Sequence, residues 1–278
     1  MLCPGGVRTS VSPARPSRVV ERVGAGVADL APGDEVFGET ITDHQWHNGG
    51  AFAEYVSVQR RALARKPARV SFEQAATVPT SGMIALYNLR HLGELAPGQR
   101  VLVNGAGGCV GSCTVQLAKA LGGHVTGVDT ERKLELVRRL GADRAIDCDA
   151  VDFTRSGERY DLIVDIPGNR PFRACRRALA PRGRYVLIGH HHFGATGRRW
   201  LGPVPSAFAL VALSPFHRQL PRRFPKPNRT ELMATLTALL ASGQLTPIID
   251  RTFPLAEARA ALRHLQEGQP CGRIVVTP

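Results

Sequence analysis

The stretch RVLVNGAGGCVGSCTVQLAKALG, Arg100 to Gly122, restricts this chain to few folds, because an apolar run passes through Gly105, Gly107, Gly108 and Gly111 straight into a helical pattern. RVLVN reads as a buried strand. Beyond it, Val110, Cys113, Thr114, Leu117 and Leu121 recur at the spacing of one helix face. HVTGVD and ERKLELVRRLG repeat the strand-then-helix pattern, with Gly141 as a C-cap, and RAIDCD, YDLIVDI and RYVLIG add further strands. PFRACRRALA is the expected helix between the last two. Such alternation produces an α/β fold built on a doubly wound parallel sheet with right-handed crossovers.

The flanking regions differ in character. From Arg18 to Val58, RVVERV, a GAG turn, APGDEVFG and AFAEYVSV alternate short strands with turns, so this part is β-rich. SFEQAATVPTSGMIALYNLRHL is helical, with a break expected at Pro79. After Gly189 a Pro- and Arg-rich surface stretch carries one short apolar helix. A helix from Thr230 to Ser242 closes at Gly243, and RTFPLAEARAALRHLQEG forms a last helix before the strand GRIVVT. Residues 1–18, rich in Pro, Ser and Arg, are expected to be an unstructured tail.

The net charge of +13 is concentrated in one block: Ile166 to Arg229 holds thirteen Arg or Lys and no Asp or Glu. Such a block attracts anions, and an anionic cofactor, nucleic acid or plain solvation are the competing uses. No nucleic-acid motif accompanies it, and aromatic residues are only 6%, so no nucleic-acid partner is expected. No apolar run approaches the length of a membrane span, and no membrane partner is expected. Six cysteines without a C-x-x-C pair fit reduced thiols, hence a cytoplasmic location.

A glycine turn between a strand and a helix is suited to an anion. Small residues let the backbone approach it, and the helix N-terminus offers unpaired N–H groups and about half a positive charge. The dinucleotide fingerprint falls on Ala106, Gly108 and Gly111, and Asp129 ends the next strand eighteen residues after Gly111. That interval, close to the usual ~20, places an acid at the adenosine ribose. An acid there favours NAD, since it repels a 2′-phosphate by up to about 4 kcal/mol at 4 Å and an effective dielectric of 20. Arg132 and Lys133 point the other way, toward the 2′-phosphate of NADP.

Taken in order from Val19, the segments GAGVADLAPGDEVFG, GAFAEYVSV, AATVPTSGMIALYNL, the glycine-turn stretch, YDLIVDIPGN, RYVLIG and LTPIIDRTFPLAEARAALRHLQEGQPCGRIVVT resemble the medium-chain dehydrogenase/reductases of the zinc-free, quinone-oxidoreductase-like branch. The resemblance implies a Rossmann dinucleotide-binding domain over 81–225. It also implies a partial GroES-like substrate domain formed by 19–80 and by a C-terminal return over 226–278, with the active cleft between the two domains. Gly105, Ala106, Gly107, Gly108, Cys109, Val110 and Gly111 would surround the pyrophosphate, and Asp129, Thr130, Arg132 and Lys133 the adenosine ribose. Ile166, Pro167, Ile188 and Gly189 would line the nicotinamide side, and Arg273 stands where the family often has a basic residue. A small-molecule substrate and a homodimer are further implications.

Three departures stand out. The family has several dozen more residues ahead of RVVERVG, so an N-terminally truncated substrate domain is expected. Ile84 replaces a common threonine, and Asp129 replaces the small residue of NADP-preferring members. No cysteine cluster or Cys in VPTSG supports zinc, and no metal is expected. Adjacent histidines in His190–His192 diverge on an extended chain, as a metal site would not allow; His190 itself, at a strand's C-terminal end, is the one candidate for a catalytic contact. The function that follows is NADP- or NAD-dependent, zinc-free hydride transfer to a quinone, enone or carbonyl, with a catalytically impaired dinucleotide-binding module as the alternative.

Overall fold

The computed structural model describes residues 6–12, 15–39, 55–189, 204–267 and 270–277. The chain forms two compact units, one gathering Met1–Met83, Asn228–His264 and Arg273–Pro278, the other Ile84–Pro227 and Leu265–Gly272.

The first unit begins with β1 (Gly6–Ser12), β2 (Arg15–Val23), β3 (Val36–Gly38), β4 (Tyr55–Gln59) and β5 (Leu63–Arg65). β1 is the middle strand of an antiparallel sheet, pairing Val7 with Val23 on one side and with Val58 on the other. Residues 6–12 are therefore not the unstructured tail that Pro, Ser and Arg content suggests. The β-branched residues Val7, Thr9 and Val11 alternate there, a pattern that suits a pleated strand, and composition averaged over eighteen residues conceals it. Val56 and Val58 point inward from β4 and pack with Val20, Leu30, Val36 and Leu63 as a small core.

Helix α1 (Phe72–Tyr87) opens on a reciprocal cap: the Ser71 N–H donates to Gln74 Oε1 at 3.0 Å, and the Gln74 N–H donates to Ser71 Oγ at 3.2 Å. The helix runs through Pro79 rather than breaking there. Proline in a helix interior costs about 3 kcal/mol. Burial outweighs it, since Ala75, Val78, Ala85 and Leu86 are all 0% exposed along this one helix.

The second unit contains β6 (Arg100–Asn104), α2 (Cys109–Ala120), β7 (His124–Asp129), α3 (Glu131–Arg139), β8 (Arg144–Asp147), β9 (Tyr160–Asp165), α4 (Phe172–Cys175), β10 (Leu179–Leu187) and α5 (Val204–Leu213). Its five strands are parallel in the order β10-β9-β6-β7-β8. This is the doubly wound α/β sheet read from the sequence. The chain winds outward from β6 through β7 to β8, then returns to β9 on the other side of β6. The strand order reverses between β6 and β9, and a crevice opens at such a point beyond the C-terminal strand ends. The helix expected over PFRACRRALA shrinks to the four residues of α4 and a tight turn over Arg176–Ala178, because β10 starts early, at Leu179.

The first unit resumes with α6 (Arg229–Ser242), capped by Asn228 and ended by Gly243 at φ +81°. β11 (Ile249–Pro254), α7 (Ala258–Gln266) and β12 (Arg273–Thr277) follow, with β11 and β12 parallel. The residues RTFP, expected at the start of the last helix, lie in β11 instead. Thr252 and Phe253 favour a strand, and Pro254 cannot sit inside a helix at low cost.

Gly111 fixes the seat of α2 on the sheet. A Cβ there would lie 2.0 Å from the Gly105 carbonyl oxygen and 2.8 Å from Ala106 backbone carbon, none of which can swing aside. A Cβ on Gly108 meets nothing closer than 3.6 Å. Gly111→Ala is expected to destabilise the chain by about 1–3 kcal/mol in chemical denaturation, the cost of overpacking. Gly108→Ala is expected to cost about 1 kcal/mol or less. Equal effects would show that the contact at Gly111 does not set the packing.

Candidate dinucleotide-binding site

Gly105 leaves β6 at φ +82°, a backbone conformation that glycine adopts without strain. The N–H groups of Gly105 and Ala106 both donate to the Val128 carbonyl, at 2.9 and 3.1 Å, which ties the turn to β7. Gly108 then serves as the N-cap of α2 with no side chain capping it. The first-turn N–H groups of Cys109, Val110 and Gly111 have no carbonyl one helical turn back within α2, so the helix start is open to an anion.

Asp129 closes one side of this turn. Its Oδ2 accepts the Gly107 N–H at 2.8 Å, its Oδ1 accepts the Thr130 N–H at 2.9 Å, and Lys133 Nζ stands 3.8 Å from Oδ1. Lys133 also packs against the turn: a Cβ on Gly107 would lie 2.8 Å from Lys133 Cβ. Thr130 precedes α3, and Arg132 is exposed on its first turn. On the other side, the Gly272 N–H donates to Gly107 O at 3.2 Å and the Cys109 thiol donates to Gly272 O at 2.8 Å. This C-terminal strap has no local sequence signal, since 163 residues separate its partners.

The structure also brings Gly105, Ile166, Pro167, Ile188 and Gly189 together. The Ile166 N–H donates to Asn104 O at 3.2 Å and the Ile188 N–H to Asp165 O at 2.9 Å. A Cβ on Gly105 would be 3.0 Å from Pro167 Cδ, and one on Gly189 would be 2.4 Å from Ile166 O. Small residues are thus required where the ends of β6, β9 and β10 converge.

Beneath that convergence lies a polar cluster that sequence patterning did not single out. Asp165, 0% exposed, accepts from Tyr185 Oη at 2.7 Å, Asn104 Nδ2 at 2.9 Å and the Gly168 N–H at 3.0 Å. Asn104 Nδ2 also donates to Asn169 Oδ1 at 3.0 Å. Burial raises the Asp165 carboxyl above its ordinary range, although its three donors pull the other way. Burial and then the neighbouring Asp165 charge raise the Tyr185 phenol, and they push the Cys175 thiol up to about 12. Tyr185 and Cys175 therefore stay protonated at neutral pH. The available signal was a single polar residue ending each apolar strand, as in RVLVN and YDLIVD.

Arg273 lies in the first unit, where it donates to Ser81 Oγ at 2.6 Å. His190, its neighbours His191 and His192, and Asp43 to His47 fall outside the described residues. Among the described residues, one group of potential metal ligands converges: Asp147, Cys148 and Asp149, after β8. No helix among them is long and apolar enough to cross a membrane.

A parallel sheet whose switch point carries an open glycine turn, with an acid on the next strand, gives the second unit a Rossmann-like α/β fold. Residues 140–276 match the family described as zinc-binding dehydrogenase. The chain is 32% identical, over 93% of its length, to the pikromycin polyketide synthase component PikAII of Streptomyces venezuelae, of which it spans 7%. It is 31% identical, over 94% of its length, to a chloroplastic NADPH-dependent alkenal/one oxidoreductase of Arabidopsis thaliana, of which it spans 62%. The quinone oxidoreductase from Coxiella burnetii shares the fold, with a TM-score of 0.80 at 24% identity, covering 98% of this chain and 90% of that one. These matches bear out the resemblance to the quinone-oxidoreductase-like medium-chain dehydrogenase/reductases.

The raised Asp165 carboxyl makes a pH signature. A carboxyl whose folded value lies above its unfolded one adds stability that is complete below about pH 4 and is lost as pH rises through the folded value. Asp165→Asn is therefore expected to gain stability relative to the wild type as pH rises from about 4 to 8. Urea midpoints measured across that range check it, and a constant difference between the two proteins would contradict it.

Proposed function

We propose that this chain binds a nicotinamide dinucleotide across the β6–β9 switch point and serves as a zinc-free oxidoreductase acting on an enone or quinone. The Gly105–Gly111 turn carries this reading. It combines a close-approach backbone, an uncapped helix start and a carboxylate at the end of the next strand. The residues present fit a dinucleotide: the start of α2 is uncapped, and glycine at 105 and 107 lets the turn close against Pro167 and Lys133, where a Cβ would come within 3.0 and 2.8 Å.

When bound, a nicotinamide dinucleotide supplies the hydride. The chain's own residues bind and orient. The N–H groups of Cys109, Val110 and Gly111 face the pyrophosphate, and Asp129 accepts from the adenosine ribose hydroxyls while it holds Gly107. The backbone of Ile166, Pro167, Ile188 and Gly189 fixes the nicotinamide ring, and the Asp165 cluster prevents those strand ends from separating. Enone reduction is supported by the alkenal/one oxidoreductase among the relatives.

Asp129 further favours NADH over NADPH, because a 2′-phosphate would stand beside a carboxylate. Saturable NADH binding, followed by fluorescence titration, is the expected result, with NADH oxidation in the presence of a panel of enones and quinones. Absence of binding to either dinucleotide would overturn the proposal. Binding without turnover across the panel would leave a dinucleotide-binding module. Asp129→Ser is expected to raise NADPH affinity relative to NADH by about tenfold, as removal of one repelled charge implies; an unchanged ratio would show that Asp129 does not read the ribose.

A further inference from the structure

A cavity of about 730 Å³ opens in the second unit beside the strand ends just described, between the loop after β9 and helix α5. Its size falls within the range of small-molecule sites. Its lining is partly basic: Arg170 precedes α4, Arg173 lies in it and Arg176 begins the turn that follows, three residues apart in sequence. His217 completes this basic part, its Nδ1 3.4 Å from Arg176 Nη1. Phe172, Leu210 and Leu213 are apolar members of the same lining. Phe172 is itself fixed by ring contacts with Tyr185 and His217, at centroid distances of 5.3 and 5.4 Å.

Among the described residues, no Asp or Glu lines this cavity. None of the three guanidinium groups forms an ion pair among the described residues, and none exists in sequence between Ile166 and Arg229 to supply one. Elsewhere, arginines such as Arg60, Arg100 and Arg184 each meet a carboxylate. Three like charges brought to one cavity repel each other unless an anion joins them, and guanidinium groups match phosphate and carboxylate oxygens in geometry. A smaller apolar cavity of about 110 Å³ adjoins the first, sharing Tyr185, Leu187, Gly189 and Leu210 with it. An anion socket with an apolar channel beside it selects a ligand of both kinds.

We propose that this groove binds the remote end of the substrate: an apolar chain carrying a phosphate or carboxylate, with the head on Arg170, Arg173 and Arg176 and the chain against Phe172 and Leu210. The assignment of that ligand as substrate rests on the oxidoreductase reading, because Gly189 lines this groove and belongs to the proposed nicotinamide side. The anion socket itself is read from the cavity.

Calorimetric titration of the NADH-saturated protein with octyl phosphate, octanoate and octanol tests it, since bound NADH removes the glycine turn as a competing anion site. Octyl phosphate or octanoate is expected to bind once per chain, and octanol at least about tenfold more weakly; the tighter of the two anions identifies the head group. Arg173 and Arg176 are exposed, so the double variant R173Q/R176Q removes charge without opening the core. It is expected to weaken anion binding by about tenfold or more and to leave octanol binding, NADH affinity and the melting temperature unchanged. Equal binding of octanol and the anions, or a double variant that binds the anions as the wild type does, would overturn the proposal. Anion binding that persists without NADH in a protein that fails to bind NADH would sink the dinucleotide reading and keep the socket. NADH binding without anion binding would do the reverse.

Discussion

No side chain fits between the first turn of α2 and the Gly105 carbonyl. With only hydrogen at Gly111, the helix starts directly on the end of β6, so its free N–H groups face the space that Gly105, Ala106 and Gly107 vacate. The same closeness recurs one strand away, where a Cβ on Gly127 would meet Val137 Cγ1 at 2.4 Å, so α3 is pressed against β7 just before Asp129. Two glycines at two helix–strand contacts therefore place the anion-facing backbone and the carboxylate beside each other. The 2.8 Å bond from the Gly107 N–H to Asp129 is the result.

A second constraint acts from below. The ends of β6, β9 and β10 converge on a carboxyl with no exposed surface, and its three donors come from different elements: Asn104 of β6, Gly168 of the loop after β9, and Tyr185 of β10. A buried polar group left without partners costs more than a paired one contributes, so such a cluster tolerates few alternative arrangements. It thereby defines where Ile166, Pro167 and Gly189 sit. The glycine turn shapes one half of the crevice and the Asp165 cluster the other, and neither borrows residues from the other half except Asn104, which ends β6.

The legible parts of this architecture were those whose signal is local. The glycine spacing, the strand that feeds it and the acid eighteen residues later are all read within thirty residues, because turn, helix start and strand end are set by near neighbours. Distant pairings left weaker traces. Asn104 and Asp165 are 61 residues apart, and the Cys109–Gly272 bond spans 163. A lone polar residue at the end of an apolar strand was visible at both Asn104 and Asp165, yet nothing in one strand tells that the other lies beside it. Strand β1 was hidden differently: its alternation is clear over seven residues, but Pro and Arg around it dominated the composition. At Pro79 local preference pointed to a break, and the burial of four neighbouring side chains decided otherwise.

The uneven charge also gains a structural meaning. A uniformly basic surface would draw anions to any face, whereas the block from Ile166 to Arg229 starts at the crevice and continues along α4 and past α5. Such a block adds positive charge near the C-terminal strand ends, where the open start of α2 contributes its own partial positive charge. Asp129 is a local exception to that charge, a carboxylate held 2.8 Å from the Gly107 N–H of the turn. On the proposed reading, attraction would be supplied broadly by the block and discrimination narrowly by one side chain, which would separate how firmly a dinucleotide is drawn in from which dinucleotide is accepted.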